Sequence, residues 1–122
     1  MKIAGFGFRK GTTLAALQDA LCRVGGADGI AAIATADDKA GAAVIISLGR
    51  ALNMPVLAIP PAALAAQTTL TRSPRVTARY GTGSLAEAAA LAAAGPGARL
   101  IGPRMPSHDG TATAAIAERT AP

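Results

Sequence analysis

Residues 2–35, KIAGFGFRKGTTLAALQDALCRVGGADGIAAIAT, contain the pattern from which the fold is predicted. The short apolar run Lys2–Phe8 is followed by a glycine turn, which is typical of a strand. Thr12 or Thr13 can cap a helix that has leucines on one face, and a glycine pair ends this helix. Gly29–Thr35 then predicts a second strand. The stretch therefore favours a strand–helix–strand unit.

Strands continue to alternate with helices along the rest of the chain, which predicts an α/β fold. With 122 residues the chain has room for one domain, spanning 1–122. We expect a single three-layer α/β/α domain with a central, largely parallel or mixed β-sheet, and a frayed tail at Glu118–Pro122. The other predicted elements are a helix capped by Asp37 or Asp38, a strand at Pro55–Ile59, a short helix at Ala62–Gln67, an irregular loop at Thr68–Arg79 with a short strand near Val76, a helix from Ser84 to Gly95, and strands at Ala98–Ile101 and Thr111–Ala117.

The composition limits the class of protein. A hydrophobic fraction of 51% and a net charge of +5 exclude a disordered chain. Alanine accounts for 32 residues and only three are aromatic, so helices and sheet are expected to pack closely. The basic balance suggests an anionic partner. Because no aromatic platform accompanies the cations, a small polycarboxylate or phosphate fits better than nucleic acid, with arginines that merely solvate the surface as the alternative.

Several functions receive no support from the sequence. The chain has one cysteine and one histidine, so we expect no metal site and no cofactor. Cys22 lies near the apolar face of the first helix and is expected to be buried. A Ser-His-Asp hydrolase would have to use His108, next to Asp109 in a Pro/Gly-rich loop, but no nucleophile elbow is present. His108 is therefore expected to be a surface loop residue. The N-terminus lacks the apolar region and cleavage site of a signal peptide, and no stretch approaches the roughly 20 apolar residues of a membrane helix. We therefore expect a cytoplasmic protein.

Two glycine-containing turns are candidates for binding an anion. The first, Gly5–Thr12, does not match the dinucleotide or Walker A fingerprints, but it precedes a helix and carries Arg9 and Lys10. The second, Gly81–Ser84, starts a helix in which Ser84 and Glu87 have capping-box spacing. The first turn modestly favours anion binding over a plain tight turn with solvated cations, whereas the second is equally explained by a cap in which Ser84 and Glu87 satisfy the amides. Lys39 follows the second strand, where ligands bind in open α/β sheets.

These segments together resemble a known family. GFGFRKGTT at 5–13, ATADDKA at 34–40, GTGSLAEAAALAAAGPGARLIGPR at 81–104 and TATAAIAER at 111–119 occur in the order typical of the cobalamin-biosynthesis CobE/CbiG C-terminal domain. The resemblance spans nearly the whole chain. It implies a role in building the corrin ring: binding or handling a precorrin or corrinoid intermediate, with other cobalamin-pathway enzymes as possible partners. Alternatives are a hydrolase of the cobalt-precorrin-5A lactone type that releases acetaldehyde, or an accessory subunit.

The resemblance and the glycine turns together give the expected site. We predict that Arg9, Lys39 and Gly83-Ser84 line one basic, glycine-rich cleft. Two positions depart from the family pattern: no carboxylate follows Lys39 within a few positions, where the family usually has an acidic residue, and Arg104 stands where the family often has lysine. Catalytic residues are not predicted. The expected ligand-binding residues are Gly7, Arg9, Lys10, Gly11, Thr12, Lys39, Gly81, Gly83, Ser84 and Glu87.

Overall fold

The computed structural model describes residues 1–120, in which six strands form one open mixed sheet between two layers of helices. This architecture confirms the predicted α/β class. The elements in chain order are β1 (Lys2–Phe8), α1 (Leu14–Val24), β2 (Ile30–Ala36), α2 (Ala43–Leu52), β3 (Val56–Ile59), α3 (Pro61–Ala65), α4 (Pro74–Tyr80), α5 (Leu85–Ala94), β4 (Arg99–Leu100), β5 (Met105–Pro106) and β6 (Ala112–Glu118).

The strand order is β3-β2-β1-β6-β4, and β5 also pairs with β6. β1, β2 and β3 are parallel, whereas β6 is antiparallel to β1 along its whole length, from Lys2 opposite Glu118 to Phe8 opposite Ala112. The connections that follow β1, β2 and β3 consequently all start at the same edge of the sheet. We call this the carboxyl edge and define it by residues 9–13, 37–42 and 60–84.

Each face of the sheet has its own apolar core. α1 and α2 cover one face, where Phe6, Leu17 and Leu48 are among the buried side chains. α3 and α5 cover the other face, where alanines of α5 pack with Ile3 and Leu64. Since alternate residues of a strand point to opposite faces, β1 contributes to both cores.

Two glycines of β1 allow α5 to lie directly on the sheet. A Cβ atom at Gly5 would stand 2.1 Å from the carbonyl oxygen of Ala86 and 2.5 Å from the nitrogen of Ala90. A Cβ atom at Gly7 would stand 3.0 Å from Thr113 Oγ1 and 3.4 Å from Cβ of Leu85. The first turn of α5 therefore lies over the end of β1, at the carboxyl edge.

The structure corrects the predicted cap of the second helix. This helix begins at Ala43, with Ala42 at the cap position and no side-chain cap. Residues 37–41 form turns instead, in which the amides of Lys39 and Ala40 bond to the carbonyl oxygen of Ala36. The aspartates are thus left outside the helix and free to make tertiary contacts.

The predicted loop at Thr68–Arg79 contains a helix, α4, and no strand near Val76. Ser73 caps α4 by accepting a hydrogen bond from the amide of Val76, and Pro74 occupies the first turn. A serine cap followed by proline is a typical helix start. Charged and β-branched residues in this stretch obscured that signal.

Two smaller predictions are wrong. Cys22 is exposed, because it lies beside the buried stripe of α1 formed by Ala16, Leu17, Ala20 and Leu21. The tail does not fray at Glu118, which ends β6, and Arg119 exchanges backbone hydrogen bonds with Met1. The last two positions of the predicted tail, 121 and 122, lie outside the described residues. Within residues 1–120, no helix has the length and apolarity needed to cross a membrane.

Candidate functional site

The turn after β1 is held by one internal hydrogen bond and by two contacts with Thr111. The amide of Arg9 bonds to the carbonyl oxygen of Thr111 at 2.9 Å, and the amide of Thr12 to that of Arg9 at 3.1 Å. The hydroxyls of Thr12 and Thr111 are 2.8 Å apart. Gly11 has φ of +90°, which explains the glycine. The amides of Arg9 and Thr12 are therefore engaged, and the side chains of Arg9 and Lys10 are exposed.

Lys39 joins the turn after β2 to the end of β1. Its Nζ donates a hydrogen bond to the carbonyl oxygen of Phe8 at 2.8 Å and lies 5.0 Å from the centre of the Phe8 ring. Burial and the neighbouring Arg79 cation lower the pKa of Lys39, and the Asp38 carboxylate opposes them. The half-buried ammonium keeps two further protons for a carboxylate.

Asp38 holds α4 against the turn after β2. Its carboxylate accepts hydrogen bonds from Arg79 at 2.8 Å and from the hydroxyl of Tyr80 at 3.0 Å. Burial acts to raise the pKa of Asp38, but the hydrogen bonds from Arg79 and Tyr80 outweigh it and hold this pKa below its ordinary value. The carboxylate that the sequence suggested as a helix cap is therefore a tertiary anchor.

Only one half of the predicted capping box forms at the start of α5. The hydroxyl of Ser84 accepts a hydrogen bond from the amide of Glu87 at 3.2 Å, as the spacing predicts. The Glu87 side chain is 0% exposed and turns to two distant loops. It accepts from the amides of Leu70 at 2.7 Å, Thr71 at 3.0 Å and Arg104 at 2.8 Å, and from the Thr71 hydroxyl at 3.1 Å.

The position of Glu87 changes the role that we assign to it. A fully buried carboxylate with four donors has little capacity left for a ligand. Glu87 instead holds the backbone amides of Leu70, Thr71 and Arg104 in place. Sequence reasoning missed this role because the partners lie 16 or 17 residues away.

Glycines 81 and 83 serve the chain itself as well as the site. Gly81 ends α4 in the left-handed conformation, with φ of +70°. A Cβ atom at Gly83 would stand 2.5 Å from the carbonyl oxygen of Thr71 and 2.6 Å from Thr69 Oγ1. Both glycines line a groove of about 220 Å³ that also contains Arg72 and Thr82.

The structure distributes the ten predicted site residues over four settings. Lys39 contacts the end of β1, next to Arg9 and Lys10, whose side chains are exposed. Gly81 and Gly83 line the groove. Buried positions under or within α5 are Gly7, Ser84 and Glu87, while Gly11 and Thr12 shape the first turn. The single cleft uniting Arg9, Lys39 and Gly83-Ser84 stays a prediction.

The carboxyl edge is strongly basic. Its three segments contain six Lys and Arg residues against only Asp37 and Asp38. Six positive charges minus two negative ones leave +4 at this edge, which is most of the chain's net charge of +5. Arg79 is paired with Asp38, so that Arg9, Lys10, Lys39, Arg72 and Arg75 carry the remaining positive charge. This distribution attracts anionic ligands.

His108 and Asp109 do not form a catalytic pair. The exposed His108 has Nδ1 3.2 Å from Nη2 of Arg23. Asp109 instead accepts hydrogen bonds from Ser107 and Thr111 within its own turn, and the bond from the Thr111 amide is the main cause that lowers the pKa of Asp109. Residues 1–120 bring together no group of three His, Cys, Asp or Glu side chains suited to a metal.

Comparison with known proteins gave a family and two close structures. The family model described as "Cobalamin synthesis G C-terminus" matches residues 2–117. The chain is similar to the crystal structure of CobE, a protein from the cobalamin (vitamin B12) biosynthetic pathway, with 31% identity, a TM-score of 0.84, and coverage of 98% of this chain and 91% of that one. No curated protein sequence matches.

The second structure is the cobalamin biosynthesis protein chiG from Agrobacterium tumefaciens strain C58. It has 30% identity and a TM-score of 0.74, and the alignment covers 99% of this chain and 100% of that one. Because the matches span almost the full length of both chains, the likeness extends over the whole fold and includes the carboxyl edge.

Proposed function

The chain belongs to the cobalamin synthesis G C-terminus family, and we propose that this cobalamin-biosynthesis protein binds a precorrin or corrinoid intermediate at its carboxyl edge. The observation that carries the proposal is the concentration of cations there, six against two carboxylates. A corrin-pathway intermediate bears several carboxylate side chains, which Arg and Lys bind by charge-assisted hydrogen bonds.

Arg9 and Lys39 are the proposed contacts closest to the sheet. Lys39 is oriented by its hydrogen bond to the carbonyl oxygen of Phe8. Arg9 directly follows Phe8 in the sequence. A preoriented ammonium loses less side-chain freedom on binding than a free surface lysine does. The two cations are therefore suited to hold neighbouring carboxylates of one ligand.

The test is a titration with hydrogenobyrinic acid, a cobalt-free corrin, followed by its absorbance. We expect saturable binding by the wild-type protein and about tenfold weaker binding by Arg9→Ala and by Lys39→Ala, the loss expected for one charged hydrogen bond. Arg50→Ala is the matched control, because it removes one exposed cation from the last turn of α2, at the opposite edge. If all three variants weakened binding equally, the loss of affinity would come from the change in net charge and not from a contact at the carboxyl edge.

The same preparation distinguishes the two other functions. Acetaldehyde release from a lactone-bearing cobalt-precorrin would establish hydrolase activity in place of simple binding. The turn after Lys39 holds alanine and glycine. The family pattern usually has an acidic residue there, so we expect no release. Absence of corrin binding, together with co-purification of a pathway enzyme, would indicate an accessory subunit instead.

A further inference from the structure

A small groove lies at the start of α5, within the carboxyl edge, and we call it the Thr82 groove. Its volume is about 220 Å³. Gly81, Thr82 and Gly83, the residues just before the cap Ser84, contribute to its wall. The rest of the lining comes from Gln67, Thr68, Thr69, Arg72 and Thr77.

Thr82 has a buried hydroxyl with no partner in the described part of the chain. The residue is 4% exposed, and Oγ1 makes no hydrogen bond within residues 1–120. Buried side-chain hydroxyls are nearly always hydrogen-bonded, so an unpaired one needs an explanation. Two other threonines of the lining differ in this respect: Thr69 and Thr77 donate to the carbonyl oxygens of Thr71 and Thr82.

The lining of the groove favours an acceptor with negative charge. Arg72 is exposed and makes no ion pair within residues 1–120, and no carboxylate belongs to the lining. The N-terminus of α5, a helix of ten residues, adds partial positive charge. Glu87, the acidic residue nearest in sequence, already accepts four hydrogen bonds from the loops and does not line the groove.

The volume indicates how much of a ligand the groove accepts. Pockets that enclose whole small molecules measure roughly 300–1,000 Å³, so a corrin macrocycle does not fit. A single carboxylate or phosphate group does. We propose that the Thr82 groove is an oxyanion subsite that takes one carboxylate arm of the tetrapyrrole, with the Thr82 hydroxyl and the Arg72 guanidinium as donors; this inference rests on the proposed function.

The first experiment uses acetate and inorganic phosphate as probes, with binding followed by amide NMR. We expect saturable shifts centred on residues 81–85. Thr82→Val should weaken binding of either anion about tenfold, the effect of losing one hydrogen bond to a charged group, while Thr82→Ser retains it. Thr82→Val should also leave the protein as stable as wild type or more so, since it removes an unpaired hydroxyl. If the Thr82 hydroxyl has only a structural role, Thr82→Val should have this same stability but bind both anions as wild type does.

The second experiment compares Arg72→Gln with Arg75→Gln in the hydrogenobyrinic acid titration. Both variants remove one exposed cation from the same segment, but only Arg72 lines the groove. A larger loss of affinity for Arg72→Gln, about tenfold against at most threefold, would support a direct contact.

The outcomes separate the subsite from the proposed function. If hydrogenobyrinic acid binds wild type, Thr82→Val and Arg72→Gln alike, and the anions shift no groove amide, the subsite is wrong and the proposed function stands. If the anions bind in the groove but hydrogenobyrinic acid does not bind the wild type, the proposed function fails. That result overturns the assignment to a tetrapyrrole arm.

Discussion

The carboxylate of Glu87 connects two segments that are remote in sequence. Its oxygens accept hydrogen bonds from residues 70 and 71, which precede it in sequence, and from residue 104, which follows it. A buried charge is tolerated where several donors compensate it, and here three amides and a hydroxyl do so. Glu87 thus ties residues 70 and 71 of the carboxyl edge to residue 104.

Replacing Glu87 should release these loops in a graded manner. Glu87→Ala removes every acceptor and is expected to lower the free energy of unfolding by about 3 kcal/mol, because buried donors lose their partners. Glu87→Gln keeps one acceptor oxygen, so we expect a loss of about 1–2 kcal/mol. Urea denaturation measures both.

Amide hydrogen exchange should identify which loop is released. A glutamine oxygen can retain the amides of Leu70 and Thr71, whereas its NH2 group would face the donor at Arg104. Faster exchange in Glu87→Gln is therefore expected at Arg104 alone, and in Glu87→Ala at all three amides. Unchanged exchange in Glu87→Ala would contradict the proposed role.

Asp38 should make stability depend on pH in the acidic range. Its folded-state pKa lies below the ordinary value of 3.8, so the ionised form is favoured by folding. The contribution is complete above the unfolded-state pKa and is lost as the pH falls through the folded-state pKa. The difference in unfolding free energy between wild type and Asp38→Asn should therefore be positive at pH 6 and vanish well below pH 3.8.

Denaturation at several pH values measures that difference. The pair is exposed, so the effect should be small. Tyr80→Phe is the companion variant, because it removes one hydrogen bond to the Asp38 carboxylate. The effect of Asp38→Asn on the unfolding free energy should therefore be smaller in Tyr80→Phe than in wild type. A difference that is independent of pH would show that Asp38 acts by packing alone.

At the scale of elements, the contact between α5 and β1 determines where the site can form. The helix starts over Gly7 and lies on Gly5 with alanines at the interface, so its first turn reaches the ends of the parallel strands. Glycine and alanine permit this approach, which larger side chains would prevent. The alanine content predicted close packing, but the register of the helix on the strand comes from tertiary structure.

Gly5→Ala should disrupt this contact. Its Cβ atom would stand 2.1 Å from a backbone oxygen of α5, so the helix must move. We expect a loss of about 3 kcal/mol or more, at the upper end of overpacking effects. Gly41→Ala is the control, since its Cβ atom would meet nothing within 4 Å. Circular dichroism during urea titration measures both, and equal stability of the two variants would contradict this account.

For the whole molecule, charge is distributed unevenly along the strand direction. Five cations at the carboxyl edge are not paired with acids within residues 1–120, and most are exposed. Fields from exposed charges are screened over about 10 Å at 0.1 M salt and about 30 Å at 0.01 M. Binding that depends on the sum of these charges is therefore expected to weaken as ionic strength rises.

The affinity for hydrogenobyrinic acid should fall several-fold between about 10 mM and 150 mM salt. Repeating the absorbance titration at both ionic strengths measures this. Arg9→Ala should show a smaller salt dependence than wild type, because one contributing charge is gone. An affinity insensitive to salt would indicate that apolar contact with the macrocycle dominates.

The sequence by itself determined the α/β class, most strand and helix positions, and the family, because these depend on local periodicity, caps and ordered motifs. Ser84 was predicted as a cap since its partner, the amide of Glu87, is three residues away. Tertiary structure alone decided the roles of Glu87, Asp38 and Thr82. The first two bind partners that the chain brings close only after the sheet has formed, and the hydroxyl of Thr82 becomes unpaired only when the groove is built. Sequence patterns report neighbours within a turn or strand, whereas side-chain partners across a fold depend on topology.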